Sequence, residues 1–252
     1  MKKTKYFIML AGDRRSGKDF FAEQLINANK QSYYDSPLIL HFARLIKKYA
    51  SDFTTYSIDE LDELKNKEES IIIRFEYVKK AWQKKLKEIK NKKPSFCKFS
   101  DDEFEQVFNN YNFEQVLQGE KLADNNNLDI RVFLQLMGES FKIILNNPDI
   151  WADLLIEYIG KKSNDGIIIP DFRFKEEYNA AKKWADKRGY NLITAKIQGK
   201  EREKNIKYDN HISENDLSNY CFDFVIDNTN YDDQTHLFKQ AVSLLEFAKK
   251  EK

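Results

Sequence analysis

The sequence predicts an α/β fold, a parallel sheet flanked by helices with a helical segment inserted into it. Three observations carry that expectation. The apolar run Tyr6-Phe7-Ile8-Met9-Leu10-Ala11 leads into Gly12-Asp13-Arg14-Arg15-Ser16-Gly17-Lys18-Asp19 and then into the helix-like Phe20-Phe21-Ala22-Glu23-Gln24-Leu25-Ile26. Strand, glycine-bounded loop and helix thus follow one another as a phosphate-binding P-loop requires. A second apolar run, Gly166-Ile167-Ile168-Ile169-Pro170, ends in Asp171, the pattern of a central parallel strand that delivers a carboxylate to its C-terminal edge. Between them, from about Ser51 to Leu128, charges dominate, glycine occurs only at 119 and helical spacing replaces strand runs.

In chain order, the helix after the loop is expected to end between Asn27 and Lys30. Pro37 to Phe42 reads as a buried strand, and Ala43 to Ala50 as the start of a helix. Ser57-Ile58-Asp59-Glu60 has the spacing of a capping box. Apolar residues at Ile71, Ile72, Phe75, Val78, Trp82, Leu86 and Ile89 predict an amphipathic helix over 71–89, ended by Pro94. Asp101 to Leu117 is a second helix-like stretch, and Asn125-Asn126-Asn127 marks a loop. Arg131 to Ser140 opens a helical region that reaches Trp151, with Asn147-Pro148-Asp149 as the turn and cap between two helices. Gly189 to Ile197 and Phe222 to Asp227 supply further strands, and Asp232 to Lys249 a closing amphipathic helix.

The 252 residues, 41% hydrophobic and 14% aromatic, suffice for a large core. A net charge of +1 gives no overall attraction to nucleic acid or to an anionic membrane. The lysine-rich face from Lys79 to Lys90 is read as solvated, or as a surface for a nucleic acid or an acidic partner. Cys97 and Cys221 lie far apart without metal-ligand spacing, which suits structural thiols in a reducing compartment. The basic start Met1 to Lys5 is followed by only six apolar residues before the loop, unlike a signal peptide, so a cytoplasmic location is expected.

The P-loop reading has a physical basis. Successive backbone N–H groups and the positive end of the following helix can surround phosphate oxygens, and Lys18 adds a mobile charge. The alternative is a surface turn with a helix cap at Ser16 or Asp19. Eight arginines stand against 34 lysines. Arg14, Arg15, Arg131, Arg173 and Arg202 are candidates for bidentate oxyanion contacts. Asp171, Arg173 and Glu177 are expected at the same sheet edge as the loop, unless Asp171 only caps the helix beginning near Lys175. Lys47 faces either a phosphate or solvent, and Gln198 to Tyr208 is either a basic lid or a plain loop.

Four blocks in order resemble the bacteriophage deoxynucleoside monophosphate kinase family: Arg15-Ser16-Gly17-Lys18-Asp19, Arg131 through Gly138 with Leu134 and Gln135, Asp171-x-Arg173-x-x-x-Glu177, and Asp209-x-His211-x-Ser213-Glu214. In that family Asp commonly follows the P-loop Lys, as Asp19 does, while the next residue is often Thr where this chain has Phe20. The resemblance implies a P-loop kinase core over 1–50 and 129–252. It leaves 51–128, the helical insertion read as acceptor-side or lid-like, unmatched in detail, and 198–214 is a candidate lid. It further implies transfer of the ATP γ-phosphoryl group to a deoxynucleoside 5′-monophosphate, with Lys18, Arg173 and Asp171 as catalytic residues. Gly12 through Asp19 would bind ATP, with Mg²⁺ held by Asp19 and Asp171. Lys47, Arg131, Gln135, Asp171, Arg173 and Glu177 would bind the acceptor, and Arg202 and His211 would approach from the lid. ATP and the dNMP are the implied partners, with no membrane, nucleic acid disfavoured and a homodimer left open. Two alternatives compete. An animal-type phosphomevalonate kinase is similar at Ser16 to Phe20 and near Phe222 to Ile226, and a nucleotide-gated module would use the Lys79 to Lys93 face on nucleic acid.

Overall fold

The computed structural model describes residues 4–30, 36–67, 69–112, 127–162, 164–200, 216–230 and 233–250. In chain order the elements begin with β1 (Lys5–Ala11), α1 (Lys18–Lys30), β2 (Leu38–Ile39), α2 (Phe42–Phe53), α3 (Ile58–Lys67), β3 (Ser70–Ile72), α4 (Phe75–Lys92) and α5 (Asp101–Asn110). They continue with β4 (Asn127–Asp129), α6 (Ile130–Ile144), α7 (Ile150–Gly160), β5 (Gly166–Ile169), α8 (Lys175–Arg188), β6 (Tyr190–Gly199), β7 (Phe224–Asn228) and α9 (Gln234–Ala248). The chain forms two compact units, Met1–Phe42 with Ile156–Lys252, and Ala43–Leu155.

The first unit carries a five-stranded sheet in the order β2-β5-β1-β6-β7, parallel at every pairing. This is the α/β P-loop kinase architecture. β1 is central, and Tyr6 through Ala11 are all buried, so it reads as an unbroken apolar run because both faces of the sheet are covered. The two-residue period sorts its side chains. Tyr6, Ile8 and Leu10 pack with Phe21 and Leu25 of α1 and Leu237, Ala241 and Leu244 of α9, while Phe7 meets Trp184 of α8 edge-on at 6.0 Å. Because the strands are parallel, the segments leaving β1, β2, β5, β6 and β7 emerge along one sheet edge.

The second unit is built on an aromatic and aliphatic core that includes Trp82, Phe104, Phe133 and Phe141. Two indoles in it are paired: the Trp82 N–H donates to Ser140 Oγ (2.9 Å) and that of Trp151 to the Gly138 carbonyl (2.9 Å). α3 opens on Ser57, whose hydroxyl accepts from Glu60 N, and α5 opens on a capping box between Ser100 and Glu103. This unit starts at Ala43 and runs to Leu155, wider than the 51–128 segment marked by composition.

Several local expectations are corrected. Ile71 and Ile72 belong to β3, which pairs antiparallel with β4, and α4 begins only at Phe75. Ile71 and Ile73 are buried while Ile72 is 67% exposed, a strand alternation that coincided with helical spacing. Asn127 opens β4 instead of lying in a loop, and α5 ends at Asn110. Phe42 starts α2 instead of ending β2. Cys97 is buried as expected of a structural thiol, but Cys221 is exposed. On the lysine-rich face, Lys87 and Lys90 pair with Glu105 and Asp101 of α5. Among the described residues no helix is long and apolar enough to cross a membrane.

Candidate functional site

The loop between β1 and α1 is held in a conformation that its glycines permit. Gly12 has φ 146°, and a Cβ there would lie 2.5 Å from the Ile197 carbonyl oxygen and 2.7 Å from Ser16 Oγ. Gly17 has φ 93°, and its Cβ would fall 2.2 Å from Asn228 Nδ2. Arg15 adopts φ 61° with a side chain present, a left-handed conformation that typically costs about 1–3 kcal/mol and persists only where surrounding structure enforces it. Inside the turn, Ser16 N donates to the Asp13 carbonyl (3.1 Å) and Phe21 N to the Gly17 carbonyl (2.9 Å), the latter opening α1. The Lys18 ammonium lies across the loop and donates to the carbonyls of Gly12 and Asp13, each at 2.7 Å. Ser16 is buried, its Oγ has no hydrogen-bond partner among the described residues, and its carbonyl accepts from Asn228 Nδ2 at 2.8 Å.

The end of β5 reaches the same edge of the first unit. Asp171 Oδ1 accepts from Phe42 N (2.8 Å), so this carboxylate caps α2, not the helix that follows it in sequence. His41 stands between two carboxylates: its Nδ1 is 4.0 Å from Asp171 Oδ2 and its Nε2 is 3.8 Å from Asp19 Oδ1. P-loop helix, β2 end and β5 end are thereby joined through side chains. α8 begins with Glu177 buried beneath it, accepting from Arg173 N (2.7 Å) and Phe174 N (3.0 Å). Burial foremost, and then the charge of Asp171, push the Glu177 carboxyl up to about 8 against the opposing pull of those two amides and of Arg173.

Arg173 lines a small cleft with Gly12, Asp13, Lys196, Ser218 and Phe222. Lys196 is half-buried there and has no ion-pair partner among the described residues. Its register partner across the sheet is Ala11, the residue before the loop. Phe172, Tyr220 and Phe222 pack edge-to-face beneath the cleft.

The other acceptor-side candidates belong to the second unit. Lys47 Nζ pairs with Asp62 Oδ1 at 2.5 Å. Arg131 lies in the first turn of α6, where its backbone N–H and that of Val132 donate to Asp129, and its Nη2 donates to the Lys65 carbonyl at 3.0 Å. Gln135 is half-exposed one turn further along α6. Arg202 and His211, with most of the candidate lid, lie outside the described residues.

Three residues at the sheet edge had not been singled out: His41, Lys196 and Asn228. Each stands at or near the C-terminal end of a strand of the parallel sheet, and that position is the one signal sequence reading had for them. Among the described residues no group of three His, Cys, Asp or Glu is placed to hold a metal on its own. Mg²⁺ needs no such cage, since one or two carboxylates beside substrate phosphates are its usual protein ligands. Asp19 and Asp171 each supply carboxylate oxygens at this edge, facing different nitrogens of His41.

A family model described as deoxynucleotide monophosphate kinase matches residues 6–239. No curated protein matches the chain.

Proposed function

The chain belongs to the deoxynucleotide monophosphate kinase family, and on that premise we propose that it transfers the γ-phosphoryl group of ATP to the 5′-phosphate of a deoxynucleoside monophosphate. Family membership makes it a phosphotransferase. The observation that supports the finer reading is the shared sheet edge, where Gly12 and Asp13 of the loop line one cleft with Arg173, a cation suited to a second phosphate.

In this reading the loop amides and the N-terminus of α1 surround the β- and γ-phosphates. Lys18, which spans the loop through two carbonyls, moves its ammonium onto phosphate oxygens. Asp19 and Asp171 would hold Mg²⁺, which when bound neutralises charge on the phosphate oxygens. Arg173 presents a fork to the acceptor phosphate, and Lys196 brings a second cation into the same cleft. Glu177 acts through the backbone, fixing Arg173 N and Phe174 N at the start of α8.

The acceptor is a phosphate oxygen already ionised near neutral pH, so no general base is required of the protein. A bond forms from that oxygen to the γ-phosphorus as the γ-phosphorus to β,γ-bridging-oxygen bond breaks, and ADP carries away the electron pair. The protein's work is alignment and charge neutralisation. Lys47, Arg131 and Gln135 are proposed as acceptor-binding residues, and Arg202 and His211 as lid residues. The protein is proposed to work in the cytoplasm.

The test is a panel of deoxynucleoside and ribonucleoside monophosphates, with phosphomevalonate alongside, incubated with ATP and Mg²⁺ and read by ADP formation. At least one dNMP should be turned over, and Lys18→Ala or Arg173→Ala should lower turnover at least about 100-fold. Turnover of phosphomevalonate alone, or near-normal rates in either variant, overturns the assignment.

A further inference from the structure

We propose that Asn228 is a positioning residue for the nucleoside triphosphate, setting the direction in which the Ser16–Gly17 peptide presents its N–H to the phosphates. Asn228 ends β7, an outer strand separated from β1 by β6. Along β7 the buried positions are Ile226 and Asn228, and Ile226 belongs to the core beneath α1 and α9. The period of two therefore places an amide in a row that elsewhere holds apolar side chains. A polar group that is 4% exposed needs a partner, and here it is the Ser16 carbonyl oxygen at 2.8 Å. Only the Nδ2 end of the amide can face a carbonyl, so the donor is unambiguous.

The consequence follows from peptide geometry. No cis peptide occurs among the described residues, and in a planar trans unit the C=O and the next N–H point in opposite directions. With the Ser16 oxygen held against Asn228, the Gly17 N–H is turned away from Asn228. Glycine alone would not keep it there, because at φ 93° Gly17 can rotate cheaply and let the carbonyl turn toward the phosphates, where its negative end would repel them. Asn228 also occupies the space a Gly17 side chain would need, its Nδ2 being 2.2 Å from an ideal Cβ. Gly17 and Asn228 therefore demand each other: the loop yields the space and the amide locks the peptide.

This inference rests on the reading that the loop binds a nucleoside triphosphate. Asn228→Asp keeps the size and replaces the donor by an oxygen that repels the Ser16 carbonyl, and Asn228→Ala removes the contact and serves if the first variant does not fold. Measured quantities are the ATP dissociation constant by titration calorimetry, the KM for ATP and for the monophosphate, and the melting temperature without nucleotide. Expected is an ATP dissociation constant and KM raised about ten-fold or more, with the monophosphate KM unchanged and a folded protein at assay temperature. Wild-type ATP affinity in a folded variant, or equal loss for both substrates, overturns the positioning role while leaving the kinase reading intact. Failure of the wild type to bind ATP overturns both.

Discussion

Replacing Glu177 by Gln should remove a pH dependence from the stability of the protein. The Glu177 carboxyl sits near 8 in the folded chain against an ordinary value of 4.5, because burial penalises its charged form. Below about pH 4.5 the group is protonated in folded and unfolded chains alike, and its contribution to stability is fully present. As pH rises from there toward 8, the unfolded chain ionises while the folded chain keeps the proton, so stability falls by about 1.4 kcal/mol per pH unit. Between pH 5 and 7.5 the loss from this one group amounts to about 3 kcal/mol, and above 8 it no longer grows. The carboxamide of Gln does not titrate, and its oxygen can still accept from Arg173 N and Phe174 N. Urea unfolding of both proteins across this range, followed by circular dichroism, should show the variant gaining about 3 kcal/mol on the wild type from pH 5 to 7.5. Every other titrating group is common to the two chains, so parallel pH profiles would refute the assignment of a buried, proton-retaining carboxyl.

Two further predictions concern each unit in turn. Lys196→Met should raise the KM for the monophosphate or lower turnover about ten-fold while leaving ATP affinity unchanged, since its ammonium shares the Arg173 cleft. Unchanged steady-state constants would remove it from the acceptor site. Ser140→Ala strips the buried Trp82 indole N–H of its acceptor and should cost about 1–3 kcal/mol in denaturant unfolding. A variant as stable as the wild type would mean the indole finds another partner.

The parts of this site that were legible in the sequence are those whose chemistry is local. Tyr6 to Lys18 carries strand, loop and helix in one contiguous stretch, and Asp171 follows a short run of β-branched isoleucines read as a buried strand. Glu177 was legible as a neighbour of Arg173, and the structure specifies the link as one through backbone amides at a helix start. What escaped notice depends on distance in the chain. Asn228 acquires meaning only from a carbonyl 212 residues away, and His41 only from carboxylates at 19 and 171. The run Ile71-Ile72-Ile73 misled because alternation over three residues is shorter than the window needed to separate it from helical spacing; its partner strand at 127–129 settles the matter.

The register of β1 bears on how the protein is made. Tyr6 pairs with Gly166 and Asn191, so the most apolar strand of the sheet leaves the ribosome long before either neighbour exists. Throughout synthesis of residues 43–155, which form a compact unit of their own, Tyr6 to Ala11 has unpaired edges and exposed faces, the condition in which nascent chains aggregate or recruit chaperones. Pairing strands so far apart in sequence carries a loop-closure cost that local contacts do not. The 12–18 loop, which contacts Ile197 and Asn228, therefore cannot reach its final shape until those later strands have been translated.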